Sequence, residues 1–165
     1  MSPTVGTYLS IPFCKAKCSF CNFASDAFGM GQLGAYVDRL CNEIANVREN
    51  AESMGAVLGC AADTVYFGGG TPSLLSADHV RQIFLSLRGE FEISNGAEIT
   101  VECAPGQLNA ETLEELQRQG MNRVSLGVQS FVDREARTVG RLHSRDECEA
   151  EIVRLKSAGI DRTGI

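Results

Sequence analysis

Short β-forming runs alternate with longer helix-patterned stretches along the 165 residues, and that alternation limits the possible folds more than any other feature. Residues 4–11 read as a strand carried by Val5, Tyr8, Leu9 and Ile11. From about 32 to 53, apolar side chains at 33, 36, 37, 40, 44 and 47 keep a helical period, which predicts one helix. Residues 64–67 (Thr-Val-Tyr-Phe) predict a second strand, stopped by Gly68, Gly69 and Gly70. Ser76 is placed to cap a helix that buries Val80, Ile83, Phe84 and Leu87. A third strand follows over 98–103. The next helix opens at Asn109, with Leu108 and Leu113 as a hydrophobic staple, and stops at Gly120. Residues 122–128 predict a fourth strand. Ser144-Arg145-Asp146-Glu147 is a capping box for a helix ending near Gly159, and Ile160 enters a fifth strand.

Strands and helices alternating in this way predict an α/β fold with a parallel sheet wound by right-handed crossovers. The pattern alone suits either an open doubly wound sheet or a segment of a barrel. No interior linker, repeat or low-complexity stretch divides the chain, so one domain is expected over 1–165. A parallel strand must be paired and covered on both faces. A chain halting at Arg162-Thr163-Gly164-Ile165 without a closing helix is therefore expected to be the N-terminal part of a longer protein.

The formal net charge is −6 and no Lys/Arg run could form a basic face, which argues against nucleic acid as a partner. No apolar stretch approaches the ~18 residues needed to span a bilayer. Met1-Ser2-Pro3-Thr4 lacks the basic-then-apolar layout of a secretory signal, so a cytoplasmic location is expected. In such a setting seven cysteines, an odd count, point to metal or chemistry rather than to disulfides. Cys41, Cys60, Cys103 and Cys148 sit singly in apolar segments and read as small core residues. His79 and His143 read as surface residues.

The other three cysteines are clustered. Cys14, Cys18 and Cys21 lie in the loop after the first strand, Ile11-Pro12-Phe13-Cys14-Lys15-Ala16-Lys17-Cys18-Ser19-Phe20-Cys21, with the spacing CxxxCxxC. Thiolates this close can hold one face of a metal site, but they number three. A structural zinc ion wants four protein ligands and would recruit a distant one, such as Cys41 or His79. An iron–sulfur cubane held by three cysteines leaves one iron open to an outside ligand. Spacing alone leaves both readings open. Phe20 could pack over a bound aromatic group or plug the loop. Lys15 and Lys17 could offset thiolate charge or simply be solvated.

Gly68 to Gly70, at the end of the second strand, let main-chain groups approach a ligand without a Cβ in the way. A sharp turn into Pro72 explains them equally well, and no Gly-Lys-Ser/Thr follows to make a Walker A loop. Glu102 is out of phase with Ile99, Val101 and Cys103, so its carboxylate faces the other side of the sheet. In a barrel that is the mouth used for binding; otherwise it is solvated surface.

Together these motifs resemble the radical S-adenosylmethionine superfamily, and within it the oxygen-independent coproporphyrinogen III oxidase-like group. The likeness rests on CxxxCxFC after Tyr8-Leu9-Ser10-Ile11-Pro12-Phe13, then Gly68-Gly69-Gly70-Thr71-Pro72-Ser73, Val101-Glu102-Cys103-Ala104-Pro105 and Gly127-Val128-Gln129-Ser130-Phe131. These occur in the family's order and at its approximate spacing along the whole chain. The group's decarboxylating oxidases usually carry a further cysteine two residues after the third, where this chain has Phe23. It is therefore more similar to the heme chaperone branch.

The resemblance implies the N-terminal portion of a partial (β/α) TIM-like barrel, truncated after about four βα units. It implies a 4Fe–4S cluster on Cys14, Cys18 and Cys21, with the amino and carboxylate groups of S-adenosylmethionine chelating the open iron. An electron from the cluster then breaks the sulfonium C–S bond, leaving methionine and a 5′-deoxyadenosyl radical. Tyr8, Phe20, Gly69, Gly70, Thr71, Glu102, Gln129 and Arg141 become cofactor contacts, Arg141 pairing its guanidinium fork with the methionyl carboxylate. No side chain is assigned as a catalytic acid, base or nucleophile. A heme or porphyrin-type substrate and a flavodoxin-like electron donor are the implied partners, with heme bound by the full-length protein. The family usually has histidine at Ser10 and asparagine at Ala104, and both changes remove polar contacts near the site. The rival readings are a porphyrinogen-decarboxylating oxidase and, outside enzymes, a zinc-binding module.

Overall fold

A computed structural model describes residues 4–27 and 29–165, and Met1-Ser2-Pro3 of the N-terminal reading lie outside the described residues. The strands are β1 (Val5–Ile11), β2 (Ala61–Gly69), β3 (Glu92–Cys103), β4 (Arg123–Leu126) and β5 (Thr163–Gly164). They form one all-parallel sheet in the order β1-β2-β3-β4-β5. The helices are α1 (Leu33–Ala45), α2 (Val47–Ser53), α3 (Ala77–Glu90), α4 (Ala110–Arg118), α5 (Asp133–Thr138) and α6 (Arg145–Ser157), with 3-10 turns at Met30–Gln32 and Pro72–Leu74. A doubly wound sheet reverses its strand order at a switch point, whereas this order is strictly sequential, as in a barrel.

One face of the sheet is apolar. Leu9 and Ile11, Val65 and Phe67, Ile99 and Val101, and Val124 and Leu126 alternate along their strands and are buried with the helices' inner sides. The α1 helix contributes Leu33, Val37, Cys41 and Ile44, spaced three or four apart. The α3 helix contributes Val80, Ile83, Phe84 and Leu87 and packs between α1 and α4. The opposite face carries Tyr8, Tyr66, Glu98, Glu102, Arg123 and Ser125, a polar set that alternation removes from the core.

The predicted caps are present. Ser76 Oγ accepts from the His79 amide at 3.3 Å, Asn109 Oδ1 from the Thr112 amide at 2.8 Å, and Ser144 Oγ from the Glu147 amide at 3.3 Å. Each such cap stabilises its helix by about 1 kcal/mol. His79 is half-buried and completes its own box, its Nδ1 accepting from the Ser76 amide at 3.4 Å, so it is a capping residue rather than a free surface one.

Other expectations are corrected. The single helix over 32–53 is two, because Asn46 turns its side chain onto the Asn42 carbonyl and leaves the helical region at φ −106°, ψ 10°. Strand β2 does stop within the glycines but runs two residues into them, Gly68 and Gly69 pairing with Ser10 and Ile11, and it starts at Ala61 rather than 64. Strand β3 begins at Glu92 rather than 98, with a register shift where Ala62 pairs with Ile93 and Thr64 with Glu98. The α5 helix, six residues long, carried too short a period to read. Cys41, Cys103 and Cys148 are buried as expected, but Cys60 is exposed just before β2. His143 is 7% exposed, not on the surface, and its Nε2 lies 3.0 Å from the Val128 carbonyl oxygen. Among the described residues no helix is long and apolar enough to cross a membrane.

Candidate cofactor site

Parallel strands bring their carboxyl ends to one rim, and the loops after β1, β2 and β4 together with the end of β3 enclose a cavity of about 240 Å³ there. Ten of the predicted site residues line it: Cys14, Cys18, Phe20 and Cys21 from the first loop, Gly69, Gly70 and Thr71 after β2, then Glu102, Gln129 and Arg141. Tyr8 does not line it; its ring is 57% exposed and stacks on Tyr66 further down the sheet.

The cysteine loop is held by local hydrogen bonds rather than by regular structure. Its base is clasped where Cys14 N donates to Asp26 O and Asp26 N to Pro12 O, both at 3.0 Å. Lys17 Nζ reaches inward to the carbonyls of Phe23, at 3.0 Å, and Ser25. Lys17, for which the sequence left thiolate compensation and plain solvation open, therefore closes its own loop. A longer-range bond ties the loop to the end of α5, Ser19 N donating to Val139 O at 3.2 Å.

Glycine is required beside this loop for a reason of space. A Cβ on Gly70 would lie 2.7 Å from both Ile11 O and Phe13 O, and one on Gly69 would lie 2.8 Å from Ser10 Oγ. Gly69 also sits at φ +104°, where L side chains are strained. The close approach is used: Gly70 N donates to Ile11 O at 2.8 Å and Thr71 N to Phe13 O at 2.7 Å, stitching the second loop to the first.

All three clustered thiols are free and partly exposed. Each of two has a protein neighbour: Cys18 Sγ stands 3.6 Å from Arg141 Nη1, and Cys21 Sγ 3.9 Å from Ser25 Oγ. As they stand, no three His, Cys, Asp or Glu side chains among the described residues are grouped closely enough to hold a metal. Cys41 and His79, the distant ligands a zinc reading needs, do not line the cavity; the first is buried on α1 and the second caps α3. The donor set fits an iron–sulfur cluster better: three soft thiols on one loop, facing one cavity, with no fourth beside them on that loop.

Arg141 reads as more than a surface arginine. Its Nη2 donates to Gly127 O, and its Nε is buried without a hydrogen-bond partner. A buried, unpartnered guanidinium N–H on an arginine that lines this cavity suits an anionic ligand group. Gln129, three residues past β4, has φ +69°, and it is the one non-glycine with positive φ among the described residues. Backbone strain of about 1–3 kcal/mol in this region is characteristic of binding sites.

Glu102 lies on the polar face as predicted, and its Oε1 accepts a hydrogen bond from Tyr66 Oη at 2.8 Å. Burial first, and then the neighbouring Glu102 carboxylate, push the Tyr66 phenol up to about 12. Sequence reasoning did not assign Tyr66, Ser125 or Ser25 to the site, and it quoted Gly127 only as the start of the fourth motif. The signal for Tyr66 was available: it stands two residues before Gly68 and shares Glu102's face. Cys103, on the opposite face, reaches the cavity wall as a buried thiol pushed up to about 12, chiefly by burial.

The family model described as "Radical SAM superfamily" matches residues 8–165. The chain belongs to the radical SAM superfamily. This radical SAM chain is 36% identical over 148 residues to the heme chaperone HemW of Escherichia coli (strain K12), an alignment covering 89% of this chain and 38% of that protein. It is 34% identical over 154 residues to an oxygen-independent coproporphyrinogen III oxidase of Bradyrhizobium diazoefficiens, covering 93% of this chain and 33% of that one. Its fold matches the solved structure of coproporphyrinogen III oxidase HemN from Escherichia coli, described as a radical SAM enzyme, with a TM-score of 0.80 at 25% identity. That match covers 98% of this chain and 36% of HemN, so the five-stranded unclosed sheet is part of a radical SAM barrel. The chain thus spans less than two fifths of the length of these relatives. Membership of the superfamily implies a 4Fe–4S cluster and S-adenosylmethionine.

Proposed function

We propose that residues 1–165 are the N-terminal part of a radical SAM core domain, that Cys14, Cys18 and Cys21 hold its 4Fe–4S cluster, and that the same cavity binds S-adenosylmethionine. The observation that carries this reading is that three free thiols open onto one cavity with Glu102, Gln129 and Arg141, which arrive from later strand ends. When bound, such a cluster supplies the single electron that cleaves the sulfonium.

The chain's own residues bind and orient. The carboxylate of Glu102, fixed on the polar face of β3, suits the N–H donors of the cofactor's amino group. The Arg141 fork, anchored on Gly127 O and with Nε unpartnered, suits its carboxylate. Main-chain groups of Gly69, Gly70 and Thr71 offer donors and acceptors without side-chain obstruction. The Gln129 amide suits ribose hydroxyls. Phe20, 52% exposed at the cavity, gives one wall an apolar face that excludes water.

The reading extends to a heme chaperone of the HemW type, acting in heme or porphyrin metabolism in the cytoplasm with a flavodoxin-like electron donor. Phe23 supports it over the oxidase alternative, since the ring lines the cavity where a decarboxylating oxidase would carry a further cysteine. Anaerobic reconstitution with ferrous iron and sulfide tests the core of the reading. About four irons and four sulfides per chain, lost in Cys14→Ser, Cys18→Ser and Cys21→Ser, are expected; one zinc and no sulfide would overturn it. Propionate decarboxylation by the protein would favour the oxidase.

A further inference from the structure

We infer that Tyr66 is a positioning residue for Glu102: its phenol holds the carboxylate in the orientation that meets the amine of S-adenosylmethionine. The inference rests on the proposed role of Glu102 and adds a residue that the motifs of the chain do not include.

The register explains how a tyrosine on β2 reaches a carboxylate on β3. Tyr66 pairs with Thr100, so Glu102 stands two residues further along on the same face, a diagonal neighbour. The place beside Glu102 on β2 belongs to Gly68, which has no side chain. The Tyr66 ring leans over that gap, and its Oη donates to Glu102 Oε1 at 2.8 Å. A Cβ on Gly68 would lie 2.9 Å from Tyr66 Cε1 and 2.7 Å from Tyr8 Oη, so the glycine is what lets both rings lie where they do. The Tyr8 ring, in register with Tyr66, stacks on it at 5.6 Å with planes 13° apart and limits its rotation. A carboxylate bonded to one donor keeps its second oxygen for the ligand in a fixed direction. Beyond β3, Ser125 on β4 pairs with Glu102 and lines the same cavity. Tyr66 itself does not line that cavity, which separates its role from that of a contact residue.

Tyr66→Phe keeps the stack and removes the hydroxyl, which is the donor to Glu102 and also meets the Ser125 side chain. The test measures equilibrium binding of S-adenosylmethionine to the anaerobically reconstituted protein, in the wild type, Tyr66→Phe, Glu102→Gln and the double variant. The expected result is an unchanged iron and sulfide content in Tyr66→Phe with affinity about tenfold weaker. In the Glu102→Gln background the same substitution is expected to change affinity less than twofold, because there is no carboxylate left to aim. A spectroscopic readout accompanies it: in an alkaline absorbance titration Tyr66→Phe removes the highest tyrosine transition, and Glu102→Gln moves it down. Equal affinity for wild type and Tyr66→Phe, or an equal loss in both backgrounds, would overturn the inference while leaving the proposed site intact. A wild-type protein that takes up its cluster but binds no S-adenosylmethionine would instead sink the proposed function, and this inference with it.

Discussion

The guanidinium of Arg141 and the thiol of Cys18 stand 3.6 Å apart although 123 residues separate them in the chain. The contact joins the loop after β1 to the segment between α5 and α6, and it depends on Gly127. A Cβ at that position would run into Arg141 Nη2. What must yield is the end of a flexible side chain, so Gly127→Ala should cost the fold less than about 1 kcal/mol. It should push the guanidinium away from Cys18 and weaken S-adenosylmethionine binding about tenfold. Calorimetric melting and equilibrium dialysis check the two halves separately.

Gly70→Ala should behave in the opposite way. Its Cβ would meet the Ile11 and Phe13 carbonyls at 2.7 Å, and these are backbone atoms already committed to the stitch between the two loops. Destabilisation of about 1–3 kcal/mol is expected, a fall of several degrees in Tm, before any ligand is added. A variant that melts with the wild type would contradict the packing described.

Lys17→Met should loosen the cysteine loop without touching the core. The substitution keeps the aliphatic stem and removes the ammonium bonded to the Phe23 and Ser25 carbonyls. Maleimide should label Cys14, Cys18 and Cys21 several-fold faster in the metal-free variant, and the Tm should stay within about 2 °C, as befits an exposed interaction.

Stability should fall at both ends of the pH scale. The Glu115 carboxylate is held below its ordinary value of 4.5, first by the Gln119 amide and then by Arg81 and Arg118. Glu147 is held down by the Ser144 main-chain N–H. The unfolded chain takes up these protons before the fold does, so the contribution is full above about pH 4.5 and is lost as pH drops through the depressed values. The Tyr66 phenol is shifted upward, from 10.0 to about 12, so the unfolded chain gives up that proton first and stability declines as pH rises from 10 towards 12. Urea midpoints measured across pH should show both limbs. Glu115→Gln should flatten the acid one and Tyr66→Phe the alkaline one.

How far the sequence told this depends on the range of the interactions involved. Helix starts were readable because a cap is a contact between residues three apart, as in Ser76 with His79 and Asn109 with Thr112. Glu102 and Gln129 were named through the family resemblance, the residues alone leaving Glu102 between a barrel mouth and solvated surface; the strand ends of the parallel sheet do bring both to the cavity of the cysteine loop. The roles of Lys17, Gly127 and His143 were not readable. Each is fixed by a carbonyl whose direction depends on how the chain turns: Phe23 and Ser25 for the first, the guanidinium bonded to its own carbonyl for the second, Val128 for the third. The break at Asn46 was missed for the reverse reason, since an unbroken apolar period hides a local side-chain bond to Asn42.

The backbone at Gln129, φ +69°, would be relaxed by glycine. Gln129→Gly should therefore melt higher while holding its nucleoside guest less well. A chain tuned only to fold would gain from that exchange. On the proposed function, an amide kept there at a conformational penalty is there for what the finished protein grips.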